Sequence, residues 1–347
     1  MSDRDVKSNI DGDTNNMNTI TAVKLLSDEE IQMREGEHFS HDHYKISITS
    51  DTDVYKPDGT ILLRFRKNVI DPCYTKPAME SLRKVSMKRH DNRGAPAGPL
   101  DWNRMPNYVG EWFKTFKFRT HYVRKSNQQK SKHDISNLSP SNVIGYFDRK
   151  DRNDPLGLPC RLTAFSKQET DKWNNTIPLI QQVAQQFKKL MPVEYSRQLN
   201  RANLSQDFII KDTCFSTITV NYSWRTACHR DKGDYQDGFG NIIVCEDGDN
   251  PNKYRGCCTG FPQYGVCVDV REGDFLAMDV HEWHCNTEFV QLEPTKPYLS
   301  FKERDINNSW HFNRLSMVCY LRNNMHKCTE RIEMTKNQYK LKEVADK

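Results

Sequence analysis

The fold is decided by a strand-forming segment, residues 214–231, which reads CFSTITVNYSWRTACHRD. Within it, β-branched and aromatic side chains alternate with polar ones, a pattern typical of a strand with two different faces. Strand alternation places Arg225, His229 and Asp231 on the same side. Because one His and one Asp at this spacing can bind one cation, the end of the strand is also a candidate metal site.

Further strands are predicted in the C-terminal half, separated by clusters of Gly and Asp rather than by helices. They cover residues 241–245, 264–270, 275–280 and 315–321. Upstream, Ser166 and Glu169 form a predicted capping box for a helix that Pro178 is expected to kink or split. Short strands at this spacing favour an antiparallel sandwich or barrel over a parallel sheet. We therefore predict an α+β fold with a mainly β core.

Two more segments complete a constellation around His229 and Asp231. Residues 273–287, GDFLAMDVHEWHCNT, predict a strand that ends beside two histidines. One distant histidine added to a His-x-Asp pair gives the two-His, one-carboxylate set that holds iron(II) with positions open for substrate and dioxygen. Farther on, Arg314 and Ser316 share one face of a predicted strand, which suits the far carboxylate of a dicarboxylate cosubstrate.

These segments resemble the iron(II)- and 2-oxoglutarate-dependent oxygenases that include the J-binding protein thymine hydroxylases and, more distantly, the ten-eleven translocation 5-methylcytosine oxidases. The strongest matches are RTACHRDKGD at 225–234, GFGN at 238–241, TGFP at 259–262, residues 273–287, and RLSMVCYLR at 314–322. Weaker similarity reaches back to residues 92–94 and 161–163, so the resemblance covers about two thirds of the chain. It implies a double-stranded β-helix, or jelly-roll, with supporting helices, to which we add the N-terminal basic region described below.

The resemblance also implies an iron-binding set, formed by His229, Asp231 and His284. His284 is preferred because the metal histidine of the family precedes a small polar triplet, matched here by residues 285–287. His281 is its rival.

For 2-oxoglutarate, the resemblance implies Arg314 as the anchor of the remote carboxylate, and we assign Ser316 and Arg225 to the same cofactor. Thirty residues separate His284 from Arg314, more than the family usually allows. We attribute the excess to an insertion at residues 291–313, and Arg304 within it is the alternative anchor.

By the same resemblance, the substrate is the C5 methyl group of thymine or 5-methylcytosine in DNA, with the base flipped into the pocket and dioxygen as cosubstrate. Asp234 and Asn241 are candidates for contact with the base edge, or else ordinary turn residues. The sequence leaves open which base is oxidised and how far, whether the DNA is single- or double-stranded, and the oligomeric state. Two alternative functions are a protein side-chain hydroxylase and a non-catalytic nucleic-acid-binding sandwich.

Charge is distributed unevenly along the chain. Residues 61–132 hold seventeen Lys and Arg against five Asp and Glu, a net charge of +12, whereas the whole chain carries +5. Residues 61–70 within this stretch predict a strand with Arg64 and Arg66 on one face. Aromatic residues alternate with Arg119, Arg124 and Lys125, as on a surface that follows a phosphate backbone and stacks on bases. The alternative is a solvated face above ordinary core aromatics.

The composition excludes some classes of protein, and the sequence divides into four predicted segments. With 36% hydrophobic and 10% aromatic residues, the chain is not disordered as a whole. It has no apolar run long enough to span a membrane and no signal core, so we expect an intracellular protein, nuclear or cytoplasmic and not secreted. The predicted segments are a disordered tail at 1–20, an N-terminal region at 21–160 that contains the basic, candidate DNA-facing stretch, the dioxygenase jelly-roll core at 161–330 and a charged C-terminal tail at 331–347.

The chain has eleven cysteines, an odd number, and they are spread along it without any Cys-x-x-Cys pair. This pattern favours buried thiols in a reducing compartment over a disulfide framework or a structural zinc site.

Overall fold

A computed structural model describes residues 17–101, 108–109, 115–116, 118–120, 123–124, 126–129, 134–149, 160–246, 254–291 and 314–329. The α-helices in this part of the chain are α1 (Asp28–Met33), α2 (Pro72–Ser86), α3 (Ala164–Gln168), α4 (Thr170–Leu190) and α5 (Pro192–Ala202). The strands before α3 are β1 (Asn18–Thr21), β2 (Ile46–Ile48), β3 (Thr52–Tyr55), β4 (Ile61–Arg66), β5 (Arg89–His90), β6 (Tyr108–Val109), β7 (Thr115–Phe116), β8 (Arg119–Thr120), β9 (Val123–Arg124), β10 (Ser139–Phe147) and β11 (Arg161–Leu162). Those after α5 are β12 (Thr217–Tyr222), β13 (Gly240–Glu246), β14 (Tyr254–Gly256), β15 (Thr259–Phe261), β16 (Val266–Val268), β17 (Phe275–Met278), β18 (Cys285–Asn286), β19 (Phe289–Gln291) and β20 (Arg314–Tyr320).

Two sheets form the core. The larger has ten strands in the order β1-β3-β4-β17-β13-β20-β12-β10-β11, with β5 added beside β10, and the smaller has the order β18-β15-β16-β2. Pairing within them is antiparallel except for β1 with β3 and β16 with β2. The prediction of an α+β fold with a mainly β, largely antiparallel core is confirmed. The two-sheet arrangement is that of the jelly-roll.

Side-chain alternation on β13 shows how the layers are built. Ile243 and Cys245 lie in an apolar cluster with residues of α2 and α4, on one face of the large sheet. Ile242 and Val244 point the other way, into a second cluster shared with Phe261 and other residues of the small sheet. The large sheet is therefore covered by helices on one face and by the small sheet on the other.

Helix α4 buries the predicted apolar face, including Trp173, Val183 and Phe187. It continues across Pro178, so the expected split does not occur. The predicted capping box is also wrong, because Ser166 lies inside α3. Its hydroxyl instead accepts a hydrogen bond from the backbone N–H of Gly145 at 2.9 Å, which ties the helix to β10.

The N-terminal part of the chain contributes directly to the large sheet. Residues 18–20, expected in a disordered tail, belong to β1, which pairs with β3. Strands β3, β4 and β10 also precede residue 161, so the sheet draws on more of the chain than the predicted core at 161–330. Residues 1–16 and 330–347 lie outside the described residues, and the predicted tails there stay predictions.

Arg64 and Arg66 do lie on one face of β4, as predicted. Both contact the buried carboxylate of Asp53 on β3, at 3.1 and 2.8 Å. Arg64 and Arg66, which belong to the +12 stretch, therefore form ion pairs within the sheet.

Cys160 and Cys328 form a disulfide, with their Cα atoms 5.7 Å apart, which corrects the expectation of thiols throughout. The two cysteines are 168 residues apart in sequence, so their spacing along the chain could not reveal that they pair. Within the described part of the chain, none of the helices combines the length and apolar character needed to span a bilayer.

Candidate active site

The structure brings His229, Asp231 and His284 together. His229 and His284 face each other in an isolated antiparallel bridge, which extends the small sheet beyond β18. One ligand atom from each of the three side chains lies within 4.8 Å of the other two. Asp231 lies 3.7 Å from the Nε2 atom of His229 and 3.8 Å from that of His284. These separations are too long for hydrogen bonds and leave the three donors facing one point.

Hydrogen bonds to the backbone orient the rings of His229 and His284. The Nδ1 atom of His229 bonds to the carbonyl of Ala227 at 2.7 Å, and that of His284 bonds to the carbonyl of Glu282 at 2.9 Å. Because a carbonyl only accepts, the Nδ1 atom of each ring carries a proton and donates, which leaves the Nε2 atom of each ring on the side of Asp231. Burial, and then the neighbouring His284, lower the pKa of His229 to about 4. The donor set therefore fits a divalent transition metal such as iron(II).

His281, the rival histidine, lies outside this group. Its Nε2 atom bonds to the carbonyl of Tyr235 at 3.0 Å, and its backbone N–H donates to Asp279. Its ring lines a different cavity, beside Tyr264 and Glu282. The geometry thus favours His284 over His281.

A cavity of about 980 Å³ is lined by residues of both sheets and of α2, α3 and α4, and the three donors belong to its lining. Arg314 and Ser316 also line it, on the face of β20 predicted from alternation. The Ser316 hydroxyl is 3.5 Å from Nδ2 of Asn221 on the neighbouring strand β12. The structure therefore places the predicted metal ligands and the predicted cosubstrate anchor in one space.

Arg314 is 3% exposed, and its Nε atom has no hydrogen-bond partner among the described residues. Burial alone would lower its pKa, but Cys257, Tyr254 and Glu246 more than compensate, so the pKa lies above the usual value. A buried, permanently charged guanidinium with an unpartnered N–H is suited to bind a carboxylate. The residues present thus fit 2-oxoglutarate as well as iron.

Two other predicted residues are not brought to this space. Arg225 donates to the carbonyls of Phe39, at 2.7 Å, and Asn286, and it is not among the residues that line the cavity. Asn241 is fully buried, bonds to the carbonyl of Phe239 and does not line the cavity either. The competing anchor, Arg304, lies outside the described residues.

Asp234 does line the cavity, next to Arg322 in an isolated bridge. Burial, and then the charge of Asp231, raise the pKa of Asp234 well above its usual value, and Arg322 opposes that shift.

Sequence reasoning missed Arg93 and Trp224 in the cavity wall. Arg93 sits in a Gly- and Pro-rich loop, where it donates from Nε to the carbonyl of Ser141 at 3.2 Å. The Nε1 atom of Trp224 is buried without a partner among the described residues. Both lie in irregular segments, where the periodicity of a helix or a strand cannot predict the direction of a side chain.

The lining of the cavity also includes Lys84, Lys88 and Arg149, here called the basic rim, together with the acidic Glu169. Lys84 lies in the last turn of α2, Lys88 follows it, and Arg149 follows β10. All three side chains are exposed. Of these, the two lysines belong to the +12 stretch, whereas Arg149 lies beyond it.

Several curated relatives are similar to roughly half of the chain. The thymine dioxygenase JBP1 of Trypanosoma brucei brucei is 33% identical over 186 residues, 53% of this chain and 19% of the relative. That of Crithidia fasciculata is 35% identical over 159 residues, 46% and 18% of the two chains. The bifunctional helicase and thymine dioxygenase JBP2 of T. brucei brucei is 32% identical over 203 residues, 56% and 16%. The chain thus matches about a fifth of the length of these relatives.

A solved structure described as NgTET1 in complex with 5mC DNA superposes with a TM-score of 0.49 and 12% identity, covering 90% of this chain and 84% of that one. The Tet_JBP family model, described as the oxygenase domain of the 2OGFeDO superfamily, matches residues 142–323. That match covers more than half of the 347 residues and includes every donor of the site. The chain therefore belongs to the Tet_JBP family of oxygenase domains.

Proposed function

We propose that this chain is an iron(II)- and 2-oxoglutarate-dependent dioxygenase that hydroxylates the C5 methyl group of a pyrimidine in DNA. The observation that carries the proposal is the placement of His229, Asp231, His284 and Arg314 around one cavity. Membership of the 2OGFeDO superfamily implies the same two cofactors.

Each residue of the site has a role in this reaction. His229, Asp231 and His284 hold the iron, and Arg314 binds the far carboxylate of 2-oxoglutarate with the hydroxyl of Ser316 beside it. When bound, these cofactors supply the oxidising chemistry, in which dioxygen is consumed, 2-oxoglutarate becomes succinate and carbon dioxide, and one oxygen atom enters the methyl C–H bond. The walls between the sheets orient the methyl group and limit the access of water.

A DNA substrate is supported by the names of the relatives and by the charge around the cavity. The relatives include thymine dioxygenases, and the basic rim lies on the cavity that holds the three donors. A base can reach such a cavity only if it leaves the stack, at a cost of a few kcal/mol that phosphate contacts offset. Asp234 in the cavity wall is a candidate for the base edge. Thymine and 5-methylcytosine both carry the required C5 methyl group.

The test is product analysis by mass spectrometry of nucleosides. The chain is incubated with iron(II), 2-oxoglutarate and duplex or single-stranded DNA that contains either thymine or 5-methylcytosine. We expect a hydroxymethyl pyrimidine from one of these substrates, and none with the variant Asp231→Ala. Succinate release without any modified nucleoside on all four DNAs would reject a DNA substrate. No succinate release under any condition would reject the enzyme.

A further inference from the structure

A second group of metal-binding side chains lies outside the active site: His41, Cys258 and Cys267. One ligand atom from each is within 4.8 Å of the other two. His41 begins a short 3₁₀ helix, His41–His43, Cys258 directly precedes β15, and Cys267 is the central residue of β16. Because these elements lie up to 226 residues apart, no motif spacing reveals the group.

Hydrogen bonds hold both cysteines in position, one through its thiol and one through its backbone. The sulfur of Cys267 lies within 4.8 Å of that of Cys258 and donates to the hydroxyl of Ser47 at 3.8 Å. The backbone N–H of Cys258 donates to the hydroxyl of Thr287 at 3.0 Å. Cys258 is 4% exposed and Cys267 is fully buried. Such partners orient ligands around a metal and sustain its affinity.

We propose that His41, Cys258 and Cys267 bind a zinc ion. Two soft sulfur donors with one imidazole match zinc and do not match the harder ions that prefer oxygen. His41 is exposed, so solvent can supply the fourth ligand of a tetrahedral site. Both thiols are deprotonated when zinc binds, and their protons pass to solvent.

The position of the group indicates a structural role. The 3₁₀ helix leads into β2, which pairs with β16, and β15 pairs with β18, which directly follows His284. Zinc would fasten the segment before β2 to the sheet whose far edge carries one of the proposed iron ligands. Since binding stabilises the folded state alone, zinc should raise the melting temperature.

The experiment measures zinc in the full chain by elemental mass spectrometry and by chelator competition. The double variant His229→Ala/His284→Ala serves as the background, so that zinc cannot occupy the iron site. We expect this background to retain one zinc ion per chain. In the same background, His41→Ala should weaken zinc binding by at least about tenfold, and its exposed position makes loss of the fold an inadequate explanation. Cys267→Ser should abolish the thiolate-to-metal absorption of the cobalt(II)-substituted chain.

Two matched variants are the controls. His43→Ala removes the histidine two positions along, whose Nε2 atom bonds to the carbonyl of Pro262. Cys73→Ser removes an exposed thiol on α2. Both should retain zinc with unchanged affinity. Equal zinc affinity in His41→Ala and its background, no zinc in that background, or a Cys258–Cys267 disulfide in the chain as purified would each overturn the proposal. None of these results depends on dioxygenase activity.

Discussion

His229 and His284 hold each other in place, because the backbone N–H of each donates to the carbonyl of the other, at 3.0 and 2.9 Å. Each ring then bonds through Nδ1 to a carbonyl two residues earlier in its own segment. Main-chain geometry therefore fixes the positions of both rings and the direction in which both Nε2 atoms point. A site organised in this way loses little entropy when it binds a metal.

We expect His229→Ala, Asp231→Ala and His284→Ala each to abolish tight iron(II) binding and succinate formation, because two remaining protein ligands do not hold the facial arrangement. Anaerobic calorimetry with iron(II) measures the first effect directly. His281→Ala is the matched control and should retain iron, since its ring bonds to the carbonyl of Tyr235. Loss of iron in His281→Ala, with retention in His284→Ala, would reverse the assignment of the third ligand.

Replacement of Arg314 by Ala should raise the 2-oxoglutarate concentration needed for half-maximal turnover by about 10- to 100-fold, because a hydrogen bond to a charged group contributes about 1.5–3 kcal/mol. The change also leaves the buried Glu246 with less compensating charge, so the melting temperature is measured in parallel. Arg314→Lys keeps the charge without the planar fork and should have an intermediate effect.

Arg304→Ala is the control for this series, and it should leave the response to 2-oxoglutarate unchanged. A strong effect of Arg304→Ala together with a weak effect of Arg314→Ala would move the anchor into the predicted insertion.

Part of the site could be predicted because Arg314 and Ser316 lie on a regular strand and His284 directly precedes one. His229 and Asp231 lie well beyond the end of β12 and were found from their His-x-Asp spacing and the family resemblance, not from a regular strand. Alternation alone placed Arg314 and Ser316 on one face of β20, and the structure has both in the cavity wall. The same argument fails for Arg225. It follows the end of β12 by three residues, and beyond a strand end the period of two no longer governs the side chain.

Long-range pairings were beyond sequence reasoning for a different reason. The Cys160–Cys328 disulfide and the contact of Asp53 with Arg64 and Arg66 depend on which segments become neighbours in the folded chain. Local patterns carry no such information. Ser166 shows the same limit on a smaller scale, because its bond to Gly145 prevailed over its predicted role as a helix cap.

Asp53→Asn should destabilise the fold by about 3 kcal/mol, the low end for breaking a buried ion pair, because both arginines keep some access to water. Urea denaturation measures the change in the free energy of unfolding. Asp58→Asn is the matched control, since Asp58 is an exposed turn residue that bonds only locally, to Thr60. Equal effects of the two variants would show that the ion pairs of Asp53 contribute no net stability.

The last prediction concerns how DNA reaches the cavity. Phosphate contacts release counterions, so the logarithm of DNA affinity should fall linearly with the logarithm of salt concentration. Changing Lys84, Lys88 and Arg149 of the basic rim to Gln should make this slope shallower by up to about 2.7 if all three contact phosphates. The control variant changes three exposed lysines that do not line the cavity, Lys188, Lys189 and Lys211.

The variant Arg119→Gln/Arg124→Gln/Lys125→Gln is compared in the same titration, because the sequence predicts a DNA contact there as well. Iron binding should be unchanged in the rim variant, since none of its residues belongs to the donor set. Turnover of 2-oxoglutarate without DNA should therefore persist while methyl oxidation on DNA declines. A protein hydroxylase would not show this separation.

Equal salt slopes for the rim variant, the lysine control and the unmodified chain would mean that the rim is only a solvated surface. A change confined to the Arg119→Gln/Arg124→Gln/Lys125→Gln variant would place the DNA on the other basic segment.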